Sequence, residues 1–195
     1  IEKDEKKPFK DIKLIDIGCG GGLLSEPMAK LGANVTGLDV VEKNIKTASA
    51  HAISQGLKIN YVHSTIEKLS EKDEKFDVIL NMEVIEHVSD VSLFINSCNK
   101  ILSPNGIMIF ASLNRTLIAY GLAIIGVEYI LGWLPKGTHD WSKFITPDEL
   151  KILFSSNGLK VDEIIGMKYN PLFDSWKRSK DLSVNYLGVS SKINS

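Results

Sequence analysis

The sequence has few cysteines, almost no net charge and no repeated or low-complexity segment. Its two cysteines, Cys19 and Cys98, form no C-x-x-C pair and fall in segments predicted to be buried, which favours a reduced cytosolic setting. The 23 basic and 24 acidic residues leave a formal charge of −1. Because no basic stripe stands out, we expect no nucleic-acid partner.

The given sequence begins at Ile1, with neither an initial methionine nor a signal-peptide pattern. We therefore expect a further segment upstream, and residues 1–13 are predicted to be a charged, solvated leader. The length of 195 residues is typical of one domain with a sizeable core. We assign residues 1–195 to a single domain that carries an apolar insertion at about residues 115–145.

What the sequence does contain is a glycine-rich loop directly after a short apolar strand, residues 14–17. Its glycines alternate, at Gly18, Gly20 and Gly22. Glycines at a strand end allow a sharp turn and the close approach of a ligand. A helix predicted to begin near residue 23 would point free N–H groups into the same crevice.

A second predicted strand, residues 34–38, ends at Asp39, whose carboxylate can accept hydrogen bonds from a ribose diol. The glycine-rich loop and Asp39 together predict a nucleoside-binding site. A dinucleotide fingerprint, G-x-G-x-x-G, would require glycine at Leu23, so a nicotinamide-dependent oxidoreductase is disfavoured. The pattern instead resembles class I S-adenosylmethionine-dependent methyltransferases.

The alternation of predicted strands and helices indicates an α/β three-layer domain. Thr146, Pro147 and Glu149 form a capping box that predicts the start of one helix. The other predicted helices cover residues 42–55 and 93–102, and the remaining strands cover residues 59–64, 76–81, 107–112, about 159–167 and 183–190.

Two acids and a histidine follow the fourth predicted strand, where ligands of open α/β sheets bind. If this turn is helical, Glu83, Glu86 and His87 lie on one face. They would then suit Mg²⁺ or Mn²⁺ better than zinc. The alternative is that both acids are solvated side chains in a first helical turn.

Several strings resemble ubiquinone biosynthesis O-methyltransferases, which methylate catechol-type polyprenyl intermediates. They are DIGCGGG, VTGLD, MEVIEHV, LNR, AYGLAIIGVEYILGWLPKGTHDW and YNP. The resemblance implies a Rossmann-like class I fold with a mostly parallel seven-stranded sheet. It also implies S-adenosyl-L-methionine as methyl donor, with contacts at Gly18, Asp39 and Met82.

The resemblance further implies a divalent metal, Mg²⁺, at Glu83, Glu86 and His87. Many class I methyltransferases place an acid after the third strand to bind adenine, but this chain has Thr65 and Ile66 there. We expect Ser64, Thr65 or a backbone carbonyl to serve instead. The base that accepts the phenolic proton is predicted to be His139, or His87 if it binds no metal.

Residues 117–134 form an apolar run with Glu128 as the only charge. Because the strands before and after the run should belong to one sheet, a single membrane crossing is disfavoured. The segment is a lid over the substrate, an interfacial segment that dips into lipid, or internal packing. The resemblance implies membrane contact by this segment, and we expect the protein on the cytoplasmic side of the inner membrane. The flanking Arg115, Lys136 and Lys143 could then meet lipid phosphates.

The sequence thus predicts O-methylation of a catechol-type polyprenyl substrate in ubiquinone biosynthesis. Two alternatives remain open. One is a methyltransferase of the same fold that acts on another small molecule. The other is an inactive, donor-binding subunit that docks a quinone-biosynthesis complex on the membrane.

Overall fold

The computed structural model describes residues 7–119, 143–170 and 173–193. Within them, eight strands form one sheet in the order β3-β2-β1-β4-β5-β8-β6-β7. The strands are β1 (Lys13–Ile17), β2 (Asn34–Asp39), β3 (Asn60–His63), β4 (Phe76–Met82), β5 (Leu102–Leu113), β6 (Leu159–Asn170), β7 (Ser175–Ser179) and β8 (Asn185–Lys192). The helices are α1 (Ser25–Lys30), α2 (Glu42–Ser54), α3 (Ile66–Leu69), α4 (Val91–Ile101), α5 (Leu117–Ala119) and α6 (Pro147–Ser156).

Strands β1 to β5 pair in parallel, which brings their carboxyl ends to one edge of the sheet. Strand β8 lies antiparallel between β5 and β6, so β6 runs in the same direction as β5. The predicted α/β class is confirmed. The strand count is one higher than the expected seven, because the short polar strand β7 pairs with the end of β6.

The sheet is buried on both faces. Ile15 and Ile79 pack on one face in the larger apolar cluster, while Leu14 and Leu80 pack on the other with Val35. This arrangement is expected of parallel strands with near-continuous apolar runs.

Both cysteines are buried and free, as expected. Burial, together with the negative charges of Asp16 and Asp39, raises the pKa of Cys19 to about 12. Cys19 is therefore protonated at neutral pH and serves as a small packing residue rather than a nucleophile.

The predicted capping box is present at the start of α6. Thr146 Oγ1 accepts from the Glu149 backbone N–H at 3.3 Å, and Glu149 Oε2 accepts from the Thr146 N–H at 2.9 Å. Arg115, which the sequence placed near lipid phosphates, forms an ion pair with Glu149. These contacts fix α6 against the end of β5.

Hydrogen bonds from Thr146 and the neighbouring Arg115 hold the pKa of Glu149 below its ordinary value of 4.5. A carboxyl group whose pKa is lower in the folded state stabilises the fold at pH values above its unfolded-state pKa. This stabilisation is lost as the pH falls through the folded-state pKa. We expect Glu149→Gln to lower the unfolding temperature by about 2 °C at pH 7, and by less at about pH 3. Asp148→Asn, a first-turn acid outside the capping box, is the control in thermal scans. An equal difference at both pH values would contradict this role of Glu149.

Candidate active site

A cavity of about 480 Å³ opens at the carboxyl ends of β1, β2 and β4. Four of the residues predicted to bind the donor lie in its wall, namely Gly18, Asp39, Thr65 and Ile66. The wall also includes Ile17, Leu38, Val40, Val41, Asn44, Ser64, Glu67, Glu83, Val84, His87, Val88, Ser89 and Phe94. The cavity is therefore at the place where open α/β sheets bind ligands.

The Asp39 carboxylate connects the glycine loop to the start of α2. Its Oδ2 accepts from the Gly20 N–H at 2.9 Å and from Asn44 Nδ2 at 3.3 Å, and its Oδ1 accepts from the Val41 N–H at 2.7 Å. A carboxylate offers about four acceptor positions. Asp39 is thus held rigidly in the wall and retains acceptor capacity for a ligand hydroxyl.

A second buried acid, Asp16, lies in the strand before the glycine loop. Its Oδ2 accepts from Ser25 Oγ at 2.7 Å, which joins the strand before the loop to the helix after it. Burial raises the pKa of Asp16. Sequence reasoning gave Asp16 no role, although an acid inside the apolar strand β1 was a usable signal.

Gly18, Gly20 and Gly22 of the loop all have backbone conformations that other residues rarely adopt. Gly18 has φ +71° and Gly22 has φ +87°. A Cβ atom would lie 2.5 Å from Val84 Cγ2 at Gly18 and 2.3 Å from Tyr61 Oη at Gly22. The loop therefore needs glycine to pack against its neighbours as well as to admit a ligand.

Three residues predicted to bind the donor lie outside the cavity wall. Gly20 acts through its hydrogen bond to Asp39. Gly22 packs against Tyr61, and Met82, the last residue of β4, packs with the Leu14 cluster. Their contribution in this structure is to position the loop and the strand end.

The segment after β4 is not the helix that the spacing suggested. Glu83 has φ +57°, an uncommon value for a residue other than glycine, and the chain then makes one 3₁₀ turn, Ile85–His87. The side chains of Glu83, Glu86 and His87 therefore do not share a helical face.

Glu86 is turned inward and is 3% exposed. Its Oε2 accepts from Ser112 Oγ at 3.1 Å. Its buried Oε1 meets no N–H or O–H donor among the described residues, unless the neighbouring Glu83 carboxyl is itself protonated. The orphaned oxygen leaves a buried acceptor that a proton or a cation could satisfy.

Although Glu83 keeps an exposed surface, burial of its carboxyl group and the negative charge of Glu86 raise its pKa to about 8. The negative charge of Glu86 therefore favours the protonated form of the Glu83 carboxyl. His87 is exposed and lines the cavity. Across residues 7–119, 143–170 and 173–193, no three His, Cys, Asp or Glu side chains form a metal-binding group.

The predicted base His139, the loop around it and most of the apolar run lie outside the described residues. Only the start of the run, Leu117–Ala119, is described, as a single helical turn. Leu117 is 80% exposed and Ile118 is 55% exposed. No helix in the described part of the chain is long and apolar enough to span a bilayer.

Comparison with known proteins assigns the family. Residues 15–110 match the family described as a methyltransferase domain. The chain is 58% identical over 180 residues to the ubiquinone biosynthesis O-methyltransferase of Bartonella bacilliformis, covering 92% of this chain and 73% of that protein. It is 54% identical over 186 residues to the enzyme of the same name from Parvibaculum lavamentivorans, covering 95% and 74%. This chain belongs to the ubiquinone biosynthesis O-methyltransferase family.

Solved structures agree with the fold of this O-methyltransferase family member. An S-adenosylmethionine-dependent methyltransferase from Methanosarcina mazei has a TM-score of 0.72 at 20% identity, covering 95% of this chain and 94% of that one. The magnesium protoporphyrin IX methyltransferase from Synechocystis, solved with bound S-adenosylhomocysteine, has a TM-score of 0.66 at 19% identity, covering 95% and 75%. The expected class I methyltransferase fold is confirmed, and family membership decides against a nicotinamide-dependent oxidoreductase.

Proposed function

We propose that this chain transfers the methyl group of S-adenosyl-L-methionine to a phenolic oxygen of a catechol-type polyprenyl intermediate in ubiquinone biosynthesis. The observation that carries the proposal is 58% identity, over 92% of the chain, to a relative named ubiquinone biosynthesis O-methyltransferase. The cavity between the glycine loop and Asp39 supports it, because the rigid acid suits a ribose and the loop glycines admit a ligand.

The reaction is an in-line displacement. A catechol oxygen attacks the methyl carbon, the new C–O bond forms as the S–C bond breaks, and S-adenosylhomocysteine leaves. Alignment of the two reactants in a fixed cavity supplies much of the acceleration. A free phenol has a pKa of about 10, so its proton needs an acceptor at neutral pH. His87 in the cavity wall and His139 are the candidates.

The proposed Mg²⁺ fits the acid pair better than the three-residue set that the sequence suggested. Glu83 and Glu86 would hold the ion, since Glu86 Oε1 is a buried oxygen that meets no N–H donor among the described residues and the Glu83 carboxyl lies beside it. A bound divalent ion would favour the phenolate form of the catechol.

A methyl-transfer assay on a short-tailed catechol tests the proposed function directly. We expect labelled methyl from the donor in the product, and loss of transfer when EDTA removes divalent ions. Transfer only to an acceptor without a catechol would support a different small-molecule methyltransferase. Donor binding without transfer to any acceptor would support the inactive docking subunit.

We also propose that residues 117–134 contact the membrane surface peripherally, because their apolar run has no polar face and begins with exposed side chains. Changing Ile124, Ile125 and Leu131 to Asp should reduce liposome binding at least about tenfold, because three charges oppose burial in the acyl boundary. Flotation measures binding, and calorimetry should show unchanged affinity for S-adenosylhomocysteine.

The control for this variant changes three exposed isoleucines elsewhere to Asp, at Ile53, Ile152 and Ile193. The control should float with liposomes as wild type does. Equal flotation of wild type and the insertion variant, both folded, would assign the segment to internal packing.

A further inference from the structure

The β6–β7 hairpin extends beyond the rest of the sheet at the edge where the cavity opens. Strand β8 pairs with β6 up to Ile165, and from Gly166 to Asn170 strand β6 pairs with β7 alone. Ile165 is level with Ala111 of β5, through Leu187 of β8. At about 3.3 Å per residue, the end of β6 reaches roughly 10 Å beyond the end of β5.

This hairpin exposes three aromatic side chains. Tyr169 pairs directly with Trp176 across the strands, and their ring centroids are 5.1 Å apart. Trp176 is 60% exposed, Tyr169 is 45% exposed, and Phe173 in the connecting turn is 76% exposed. Folding of the chain does not explain why three large rings stay in water at the edge of the sheet where the cavity opens. Amphipathic aromatic rings are typical of membrane–water interfaces.

The same hairpin carries a local excess of positive charge. Lys168 lies directly opposite Lys177, an arrangement that destabilises a strand pair. Lys168 is compensated by Asp181 at 2.9 Å, whereas Lys177 and Arg178 have no acidic partner within the described residues. Residues 168–181 contain four basic and two acidic side chains, although the whole chain has a net charge of −1.

We propose that the β6–β7 hairpin is a membrane-docking element that binds the headgroups of anionic phospholipids. Tyr169, Phe173 and Trp176 enter the interface, and Lys177 and Arg178 contact lipid phosphates. A strand from another protein chain is disfavoured as the binding partner of this hairpin. Strand β7 is a short, charged edge strand, and such strands discourage pairing with another chain. The hairpin and Leu117 lie at the same edge of the sheet as the cavity. On the proposed function, docking of the hairpin orients the cavity toward a substrate in the bilayer.

Charge reversal tests the phosphate contacts. The variant Lys177→Glu with Arg178→Glu should bind vesicles of phosphatidylcholine and phosphatidylglycerol about 10- to 30-fold more weakly than wild type, since each cation contributes about fivefold. The control, Lys58→Glu with Lys72→Glu, has the same net charge and lies in exposed loops at the opposite edge of the sheet. It should bind as wild type does. Equal affinity of the two variants would overturn the proposal.

Trp176 reports insertion directly once the other tryptophans are replaced in a Trp133→Phe, Trp141→Phe variant. We expect its emission to shift to shorter wavelength on vesicles and to be quenched by brominated lipid. Vesicle-bound protein whose Trp176 is not quenched would overturn the proposal. Donor affinity and transfer to a water-soluble catechol without vesicles test the proposed function separately, so a failure of one is distinguishable from a failure of the other.

Discussion

Glu86→Gln should lower the rate of methyl transfer at least about a hundredfold while leaving affinity for S-adenosylhomocysteine within about twofold. The substitution keeps the shape of the side chain, and its amide oxygen can still accept from Ser112 Oγ. What it removes is one of the two carboxylates that would hold the divalent ion. Because Glu86 lies outside the cavity wall, the donor site should not change.

Calorimetric titration with Mg²⁺ alone, together with thermal unfolding, shows whether Glu86→Gln has lost ion binding or its fold. Wild type should bind Mg²⁺, Glu86→Gln should not, and their unfolding temperatures should be similar because no buried charge is left uncompensated. Glu67→Gln is the matched control, since Glu67 is an acid of the cavity wall outside the Glu83–Glu86 pair. Full activity of EDTA-treated wild type would contradict a metal-assisted reaction.

The position of the candidate donor cavity could be predicted from the sequence because it depends on local order along the chain. Strand, alternating glycines, helix and a strand-terminal acid stand within residues 14–39, and parallel pairing of β1 with β2 brings them together. Gly18 and Asp39 reach the cavity wall for this reason. The signal for the start of α6 was just as local, because the capping box lies within four consecutive residues and marked the helix start correctly.

The acid pair could not be predicted correctly because its geometry depends on a distant contact. Spacing suggested a helical face, but Glu83 turns the chain with φ +57° and Glu86 faces Ser112, 26 residues away. Asp16 differs, because its partner Ser25 lies nearby in the sequence and an acid inside the apolar strand β1 was a usable signal that sequence reasoning missed. Strand β7 gave no apolar alternation and was missed, since its sequence SWKRS is almost entirely polar.

Asp39 has a structural role in the glycine loop and a proposed role in binding the donor, and a single substitution can separate the two in part. Its carboxylate accepts from the Gly20 and Val41 N–H groups and from Asn44, and it faces the cavity. On this proposal, removing the carboxylate takes an acceptor from the donor, and it also leaves backbone N–H groups without their partner. An asparagine keeps one acceptor oxygen, so Asp39→Asn should lie between wild type and Asp39→Ala in donor affinity.

Asp39→Ala should weaken binding of S-adenosylhomocysteine by about 1–3 kcal/mol, or about 5- to 150-fold, as expected when hydrogen bonds to a charged acceptor are lost. Calorimetric titration measures the affinity. Asp77→Ala is the control, because Asp77 also accepts two protein hydrogen bonds, from the Lys13 N–H and Ser103 Oγ, at the opposite edge of the sheet. It should lose comparable stability and retain donor affinity. Unchanged affinity in folded Asp39→Ala would remove Asp39 from the donor site, and the cavity would then have to bind its ligand through the glycine loop alone.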